Sequence, residues 1–339
     1  MAGKPWVAVL LALAASAAAP PGPRDSAVFD HYPALANGSE LARRTLTPLT
    51  LLEVRRMLAA SGKTLVESQL DLTNERFLLY VPPRPPAGGY GLLVFVPPWS
   101  EARLPQGWPG VLDRLGVIFV SAAGSGNDAD VLTRREPLAL IAEQNVARLY
   151  PVDPARVFIG GFSGGAHVAQ RLALAYPDIF AGALLDAGSD PIGDHAAALP
   201  AADLFARFQI DTRVVYVTGS RDAARLAMDT DSLSSMRHWC VAGATADQVP
   251  DSGHQAADPA ALGRALVALQ TPVKVDAARL AICRAGLDRE KAKAFAEVES
   301  LIAAGHADKA REALIRLDAR FGGLAAPRSV TLAERLAAQ

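Results

Sequence analysis

Ser163 lies between glycines in the run Val157-Phe158-Ile159-Gly160-Gly161-Phe162-Ser163-Gly164-Gly165-Ala166-His167. This is a G-x-S-x-G pattern with an apolar, strand-like run before it and a helix-like run after it. A serine on so sharp a strand-to-helix turn is held in a strained backbone conformation with its hydroxyl pushed out above the sheet. Strand and helix pack closely at such a turn, so side chains at positions 161 and 165 would collide, and glycine is required at both. The helix behind the serine offers free N–H groups and a partial positive charge where a tetrahedral oxyanion would form. The chemistry this favours is nucleophilic attack on a carbonyl. The plainer alternative is a Gly-rich turn with an ordinary capping serine.

A serine nucleophile needs a base, and the base needs an acid to orient it. On this kind of turn the acid and then the base follow the serine in chain order, each at the end of a later strand. Val214-Val215-Tyr216-Val217 reads as a buried strand and runs into Thr218-Gly219-Ser220-Arg221-Asp222, which makes Asp222 the expected acid. Asp247-Gln248-Val249-Pro250-Asp251-Ser252-Gly253-His254 reads as a short strand and a loop, which makes His254 the expected base. The other acidic residues and histidines are less well placed. Asp186 and Asp190 follow an earlier strand around 183–185, and Asp229 and Asp231 lie inside the next helix. Of six histidines, His31 and His306 fall outside the catalytic core, His195 and His238 follow no strand, and His167 lies one helical turn past Ser163, where it would pack under the turn.

The oxyanion donors are expected to be the backbone N–H of Gly164 and one from the loop after the strand around 92–96. That loop reads Pro97-Pro98-Trp99-Ser100. Proline has no N–H, so Trp99 or Ser100 must donate, and Trp99 would also wall the site. The alternative is a stiff loop with a packed aromatic.

With these residues in view, the chain resembles the α/β-hydrolase superfamily, and within it the secreted polyhydroxybutyrate-depolymerase and feruloyl-esterase-like branch. The resemblance is carried by Val152-Asp153-Pro154-Ala155-Arg156-Val157 before the turn and by Tyr176-Pro177-Asp178-Ile179-Phe180-Ala181-Gly182 after its helix. It covers roughly residues 65–270. It implies a serine esterase acting on carboxylic esters, with Ser163, Asp222, His254 and Gly164 as the residues carried over. The family's His-Gly after the third strand is absent, and Pro97-Pro98 stands in its place. No appended polymer-binding domain is evident.

A chain of 339 residues, half of them hydrophobic, can bury a large core and fits one large domain with an addition. Net charge is −1 and no basic stripe appears, which argues against a nucleic-acid partner. Lys4, an apolar run from Trp6 to Leu13 and the Ala15-Ser16-Ala17 site read as a signal peptide over 1–19. The run is too short to span a bilayer. The expected location is secreted or periplasmic, with no membrane association after cleavage. Export permits oxidation, and Cys240 and Cys283 form the one available pair; unpaired, they would be two buried thiols.

The rest of the chain divides into a Pro-rich stretch over 20–63 with one helix at 49–60, a main domain over 64–272, and an extension over 273–339. Residues 67–72 and 75–81 read as a hairpin turning at Thr73-Asn74. Strand runs alternate with helices at 137–150, 164–176 and 258–269, which predicts an α/β fold with a mostly parallel sheet covered on both faces. Gly124-Ser125-Gly126-Asn127-Asp128-Ala129 matches a dinucleotide fingerprint. It opens no helix of its own and no acidic strand end follows it, so the loop is read as the rim of the cleft. Beyond 272, helices at 288–304 and 307–320 form a hairpin. Phe295, Val298, Leu301 and Ile302 make one apolar face, and Ala310, Leu314, Leu317 and Phe321 the other. The pair either packs on the main domain or docks a protein partner.

The combined expectation is an exported serine hydrolase that cleaves small or polymeric carboxylic esters through an acyl-serine intermediate, without metal or cofactor. The alternatives are a serine peptidase with the same triad, or a catalytically weak hydrolase fold used as a binding module.

Overall fold

The computed structural model describes residues 22–63, 67, 69–194 and 197–338. The leader over 1–19 and His195 lie outside the described residues. Eight strands form one sheet: β1 (Gly22–Ala27), β2 (Phe77–Val81), β3 (Tyr90–Val96), β4 (Val117–Ala122), β5 (Val152–Phe162), β6 (Gly182–Asp186), β7 (Arg213–Gly219) and β8 (Ala244–Val249). Their order is β1-β2-β4-β3-β5-β6-β7-β8. β2 runs antiparallel to both β1 and β4, and every pairing from β4 through β8 is parallel.

The central strands are apolar along their whole length because both faces are covered. Successive side chains point to opposite faces, and the core divides accordingly. Leu92, Val94, Ile118, Val120, Val157 and Ile159 pack on one side with α4 (Glu136–Leu149) and α5 (Gly164–Ala175). Leu93, Phe95, Phe119 and Phe158 pack on the other with α3 (Trp108–Leu115) and α8 (Pro259–Gln270). The strand order and the covered faces fit the α/β-hydrolase fold.

The expected hairpin does not form. β2 starts at Phe77, and its antiparallel partners are β1 and β4. The preceding residues are turned by Asp71, whose carboxylate accepts from the Thr73 N–H at 3.1 Å, the Thr73 hydroxyl at 2.7 Å and the Asn74 amide at 2.7 Å. Such side-chain-to-backbone bonds favour a turn over a strand. Before β2 the chain also makes α1 (Gly38–Thr45) and α2 (Pro48–Ala60).

The C-terminal extension holds three helices, not a hairpin: α9 (Ala277–Ala303), α10 (Ala307–Phe321) and α11 (Arg328–Ala337). α9 begins well before 288, capped by the Asp276 side chain on the Arg279 N–H at 3.0 Å. Its first turns set Leu280, Cys283 and Leu287 against the core at helical spacing. Phe295, Val298 and Ile302 are buried, as are Ala310, Leu314, Leu317 and Phe321; Leu301 is half-buried. All belong to the same core as the α5 side of the sheet. Phe321 meets Trp239 edge-on at 5.8 Å, and Trp239 meets Phe205 of α6 (Ala202–Asp211) at 6.1 Å.

Cys240 and Cys283 are bonded, with Cα atoms 6.0 Å apart. The bridge joins the end of α7 (Ala223–His238) to α9. It closes a 43-residue loop that contains His254. Loop closure of that length lowers the entropy of the unfolded chain by about 4 kcal/mol at room temperature. The Cys240→Ala/Cys283→Ala double variant should therefore lose about 4 kcal/mol in urea unfolding, read from the fluorescence of the adjacent Trp239. An unchanged midpoint would contradict this role of the bridge.

Candidate active site

β5 runs straight into Ser163, which adopts φ 52° and ψ −120°. A non-glycine residue pays strain there, and the surroundings hold it. The Ser163 N–H donates to the Asp186 carbonyl at 2.8 Å, and the Ser163 carbonyl accepts from Ala166 at 3.0 Å. A β-carbon on Gly161 would run into the Gly165 backbone, and one on Gly165 into the Val96 carbonyl. The turn is therefore possible only with glycine at both places.

Asp222 ends the turn after β7 and caps α7. One of its oxygens accepts from the Arg225 N–H at 3.4 Å; the other lies 2.6 Å from His254 Nδ1. His254 Nε2 lies 3.0 Å from Ser163 Oγ. With the carboxylate on Nδ1, the proton belongs there, and Nε2 is left to accept from the serine hydroxyl. Asp222 is 10% exposed and His254 40%, so the carboxylate is enclosed while the imidazole reaches solvent.

The two loops that carry Asp222 and His254 are tied to each other. Ser220 N donates to Val249 O at 2.9 Å, Arg221 N to Ser252 O at 2.9 Å, and Asp251 N to Ser220 Oγ at 3.0 Å. Behind His254 the loop is pinned at Ala257, whose N–H donates to Asp186 at 2.8 Å and whose carbonyl accepts from Trp108 Nε1 at 2.9 Å.

Asp190 does not approach His254. It lies 2.7 Å from His167 Nδ1. Asp229 is buried on Ser189 and Thr218, each at 2.7 Å. His238 lies beside Arg320 and Glu290, and His306 precedes α10.

Around the nucleophile stand aromatic rings. Phe162 lies 5.0 Å from the His254 ring and 5.9 Å from Trp99. Arg103 stacks on the outer face of Trp99 at 3.8 Å. Ser100 is committed to the 124–128 loop, its hydroxyl to Asp128 at 3.1 Å and its carbonyl to Gly124 N at 2.6 Å. Neither bond engages the Ser100 backbone N–H, so Trp99 and Ser100 both stay candidates for the donor of this loop. The structure adds Asn127, which the sequence reading passed over. Its N–H donates to the Pro98 carbonyl at 3.0 Å, and its side-chain amide occupies the space beside the α carbon of Gly164. The 124–129 loop lies beside the 98–100 loop and the Ser163 turn; the reach of one amide on it has no sign in the sequence.

Asp186 is fully buried, and its carboxyl is pushed up to about 8. Burial dominates, the Ala257 N–H opposes it, and the nearby Asp229 carboxylate adds to it. An unfolded aspartate titrates near pH ~4. Between that pH and about 8 the folded state keeps a proton that the unfolded state releases, so this group lowers stability as pH rises through the window. Asp186→Asn keeps the acceptor for Ala257 and removes the titration. Its thermal midpoint should fall less than wild type between pH 5 and pH 8; parallel pH profiles would contradict the assignment.

No family model matches the chain, and no curated protein does. Among solved structures it is similar to a ferulic acid esterase at 17% identity, with a TM-score of 0.44 over 58% of this chain and 92% of that one. It is similar to an S-formylglutathione hydrolase from Staphylococcus aureus at 11% identity, with a TM-score of 0.45 over 58% of this chain and 93% of that one. A third is an esterase from Pyrobaculum calidifontis at 14% identity, with a TM-score of 0.42 over 58% of this chain and 80% of that one. What the site can do follows from its own geometry.

Proposed function

We propose that the chain is an exported serine hydrolase that cleaves carboxylic esters through an acyl-serine intermediate. The observation that carries this is the continuous hydrogen-bonded line Asp222–His254–Ser163 at a strained turn opening a helix. Ser163 Oγ attacks the ester carbonyl carbon while His254 Nε2 takes the hydroxyl proton. Asp222 fixes the imidazole and offsets its charge. The tetrahedral oxyanion forms over the N-terminus of α5, against the Gly164 N–H, with an N–H of the 99–100 loop as a further donor and the Asn127 side chain, whose Oδ1 is the atom nearest Gly164, holding that end of the turn in place. Collapse expels the alcohol, which takes the proton from His254. Water then repeats the sequence on the acyl-serine and releases the acid.

Esters are favoured over amides by the residues around the turn that resemble the polyhydroxybutyrate-depolymerase and feruloyl-esterase-like branch. Export is supported by the leader-like first nineteen residues and by the disulfide. The substrate class is a carboxylic ester; Phe295, Val298, Leu314 and Phe321 of the C-terminal helices pack into this chain's own core, while Ile282 and Ile315 stay exposed.

A fluorophosphonate probe should label Ser163, and Ser163→Ala should abolish labelling and lower kcat on p-nitrophenyl esters by about 10⁴ or more. Asn127→Ala should keep the label and lower kcat by about 10² through misplacement of the turn. Faster turnover of aminoacyl anilides than of esters would reassign the enzyme as a peptidase. Unlabelled wild type would leave a binding module.

A further inference from the structure

α2 is rich in leucine and yet buries no residue fully. Its start is anchored by Asp318 of α10, whose oxygens accept from the Leu49 N–H at 3.2 and 3.3 Å. Beyond that anchor the helix spans a cavity of about 740 Å³, between itself, α10 and α11. That volume falls within the range of small-molecule sites, roughly 300–1,000 Å³. Leu49, Leu52, Leu314 and Leu336 line it, and Met57 and Ile315, 57% and 58% exposed, flank its mouth.

One cation enters this apolar space from below. Arg171 lies on α5, eight residues past Ser163 and so about 12 Å along the helix axis from the nucleophile. It is 26% exposed. Its Nε donates to Glu136 Oε1 at 2.9 Å, and its two terminal nitrogens have no partner among the described residues. Glu136 is a poor competitor for them. It is fully buried, its second oxygen is unpartnered, and burial raises its pKa against the pull of Arg171. The other cations at the lining, Arg56 and Arg311, are exposed, and Arg311 is paired with Asp308 at 2.7 Å. Glu53 and Asp318 also line the space, which disfavours a dianion such as a phosphate monoester. A planar carboxylate matches the open guanidinium fork.

We propose that this cavity binds one amphiphilic monocarboxylate, with its head on the terminal nitrogens of Arg171 and its hydrocarbon chain along Leu49, Leu52 and Leu314. The site is separate from the triad and does not depend on what the triad does.

Calorimetric titration of the purified chain with sodium dodecanoate below its micelle concentration tests this. Saturable binding at one site is expected, with dodecanol and dodecyltrimethylammonium at least about tenfold weaker. Arg171→Gln should weaken dodecanoate by about tenfold. Because that change leaves Glu136 buried without its ion partner, Leu52→Glu provides a second arm. It places a carboxylate at a half-exposed position of the cavity wall and should weaken binding by about tenfold or more with the far-ultraviolet spectrum unchanged. Dodecanoate held at the triad would be indifferent to Leu52→Glu. Absence of saturable binding, equal affinity for the three chains, or wild-type binding by Leu52→Glu would each overturn the proposal.

Discussion

The structure depends on one close approach, that of β5 and α5 on either side of Ser163. The turn leaves no room for a side chain at Gly161 or Gly165, and it forces Ser163 to a positive φ. Strain of this kind persists only where the surroundings over-determine it. Here they do. The sheet is covered on both faces, β5 is paired on both edges, and the Ser163 N–H is fixed to the end of β6. The large two-sided core is thus what makes an exposed, strained hydroxyl sustainable.

The same sheet explains how residues 91 positions apart meet within 3.0 Å. β5, β6, β7 and β8 are parallel neighbours in sequence order, so their carboxyl ends emerge side by side. Ser163, Asp222 and His254 each occupy a loop at that edge. Precision then comes from bonds between loops rather than from the strands. The turn after β7 and the segment at the end of β8 exchange four hydrogen bonds, the fourth from the Arg221 side chain to the Asp251 carbonyl, and Asp186 at the end of β6 holds Ala257. A neutral, buried carboxyl suits that task, since it accepts an N–H without burying a net charge.

Much of this was legible in the sequence because the signals are local. G-x-S-x-G after an apolar run, and polar turns ending the runs at 214–217 and 247–249, are features a few residues long. The false hairpin at 67–81 shows the limit. β-type composition cannot distinguish one strand partner from another, and the partners of β2 are β1 and β4, both far from it along the chain. The start of α9 carried a signal of its own, Leu280, Cys283 and Leu287 at helical spacing against the core, which a boundary at 288 leaves out. Asn127 and the space beneath α2 are tertiary outcomes. An amide reaching Gly164, or a helix left standing off its neighbours, has no signature along the chain.

The central claim is that Ser163 carries the acyl group during turnover. The direct test is rapid mixing with p-nitrophenyl butyrate, an acid quench within the first turnover, and peptide mass mapping. The account predicts a burst of about one nitrophenol per chain and a butyryl group on the peptide that contains Ser163. Steady turnover with that peptide unmodified, or with the acyl group on another residue, would contradict it.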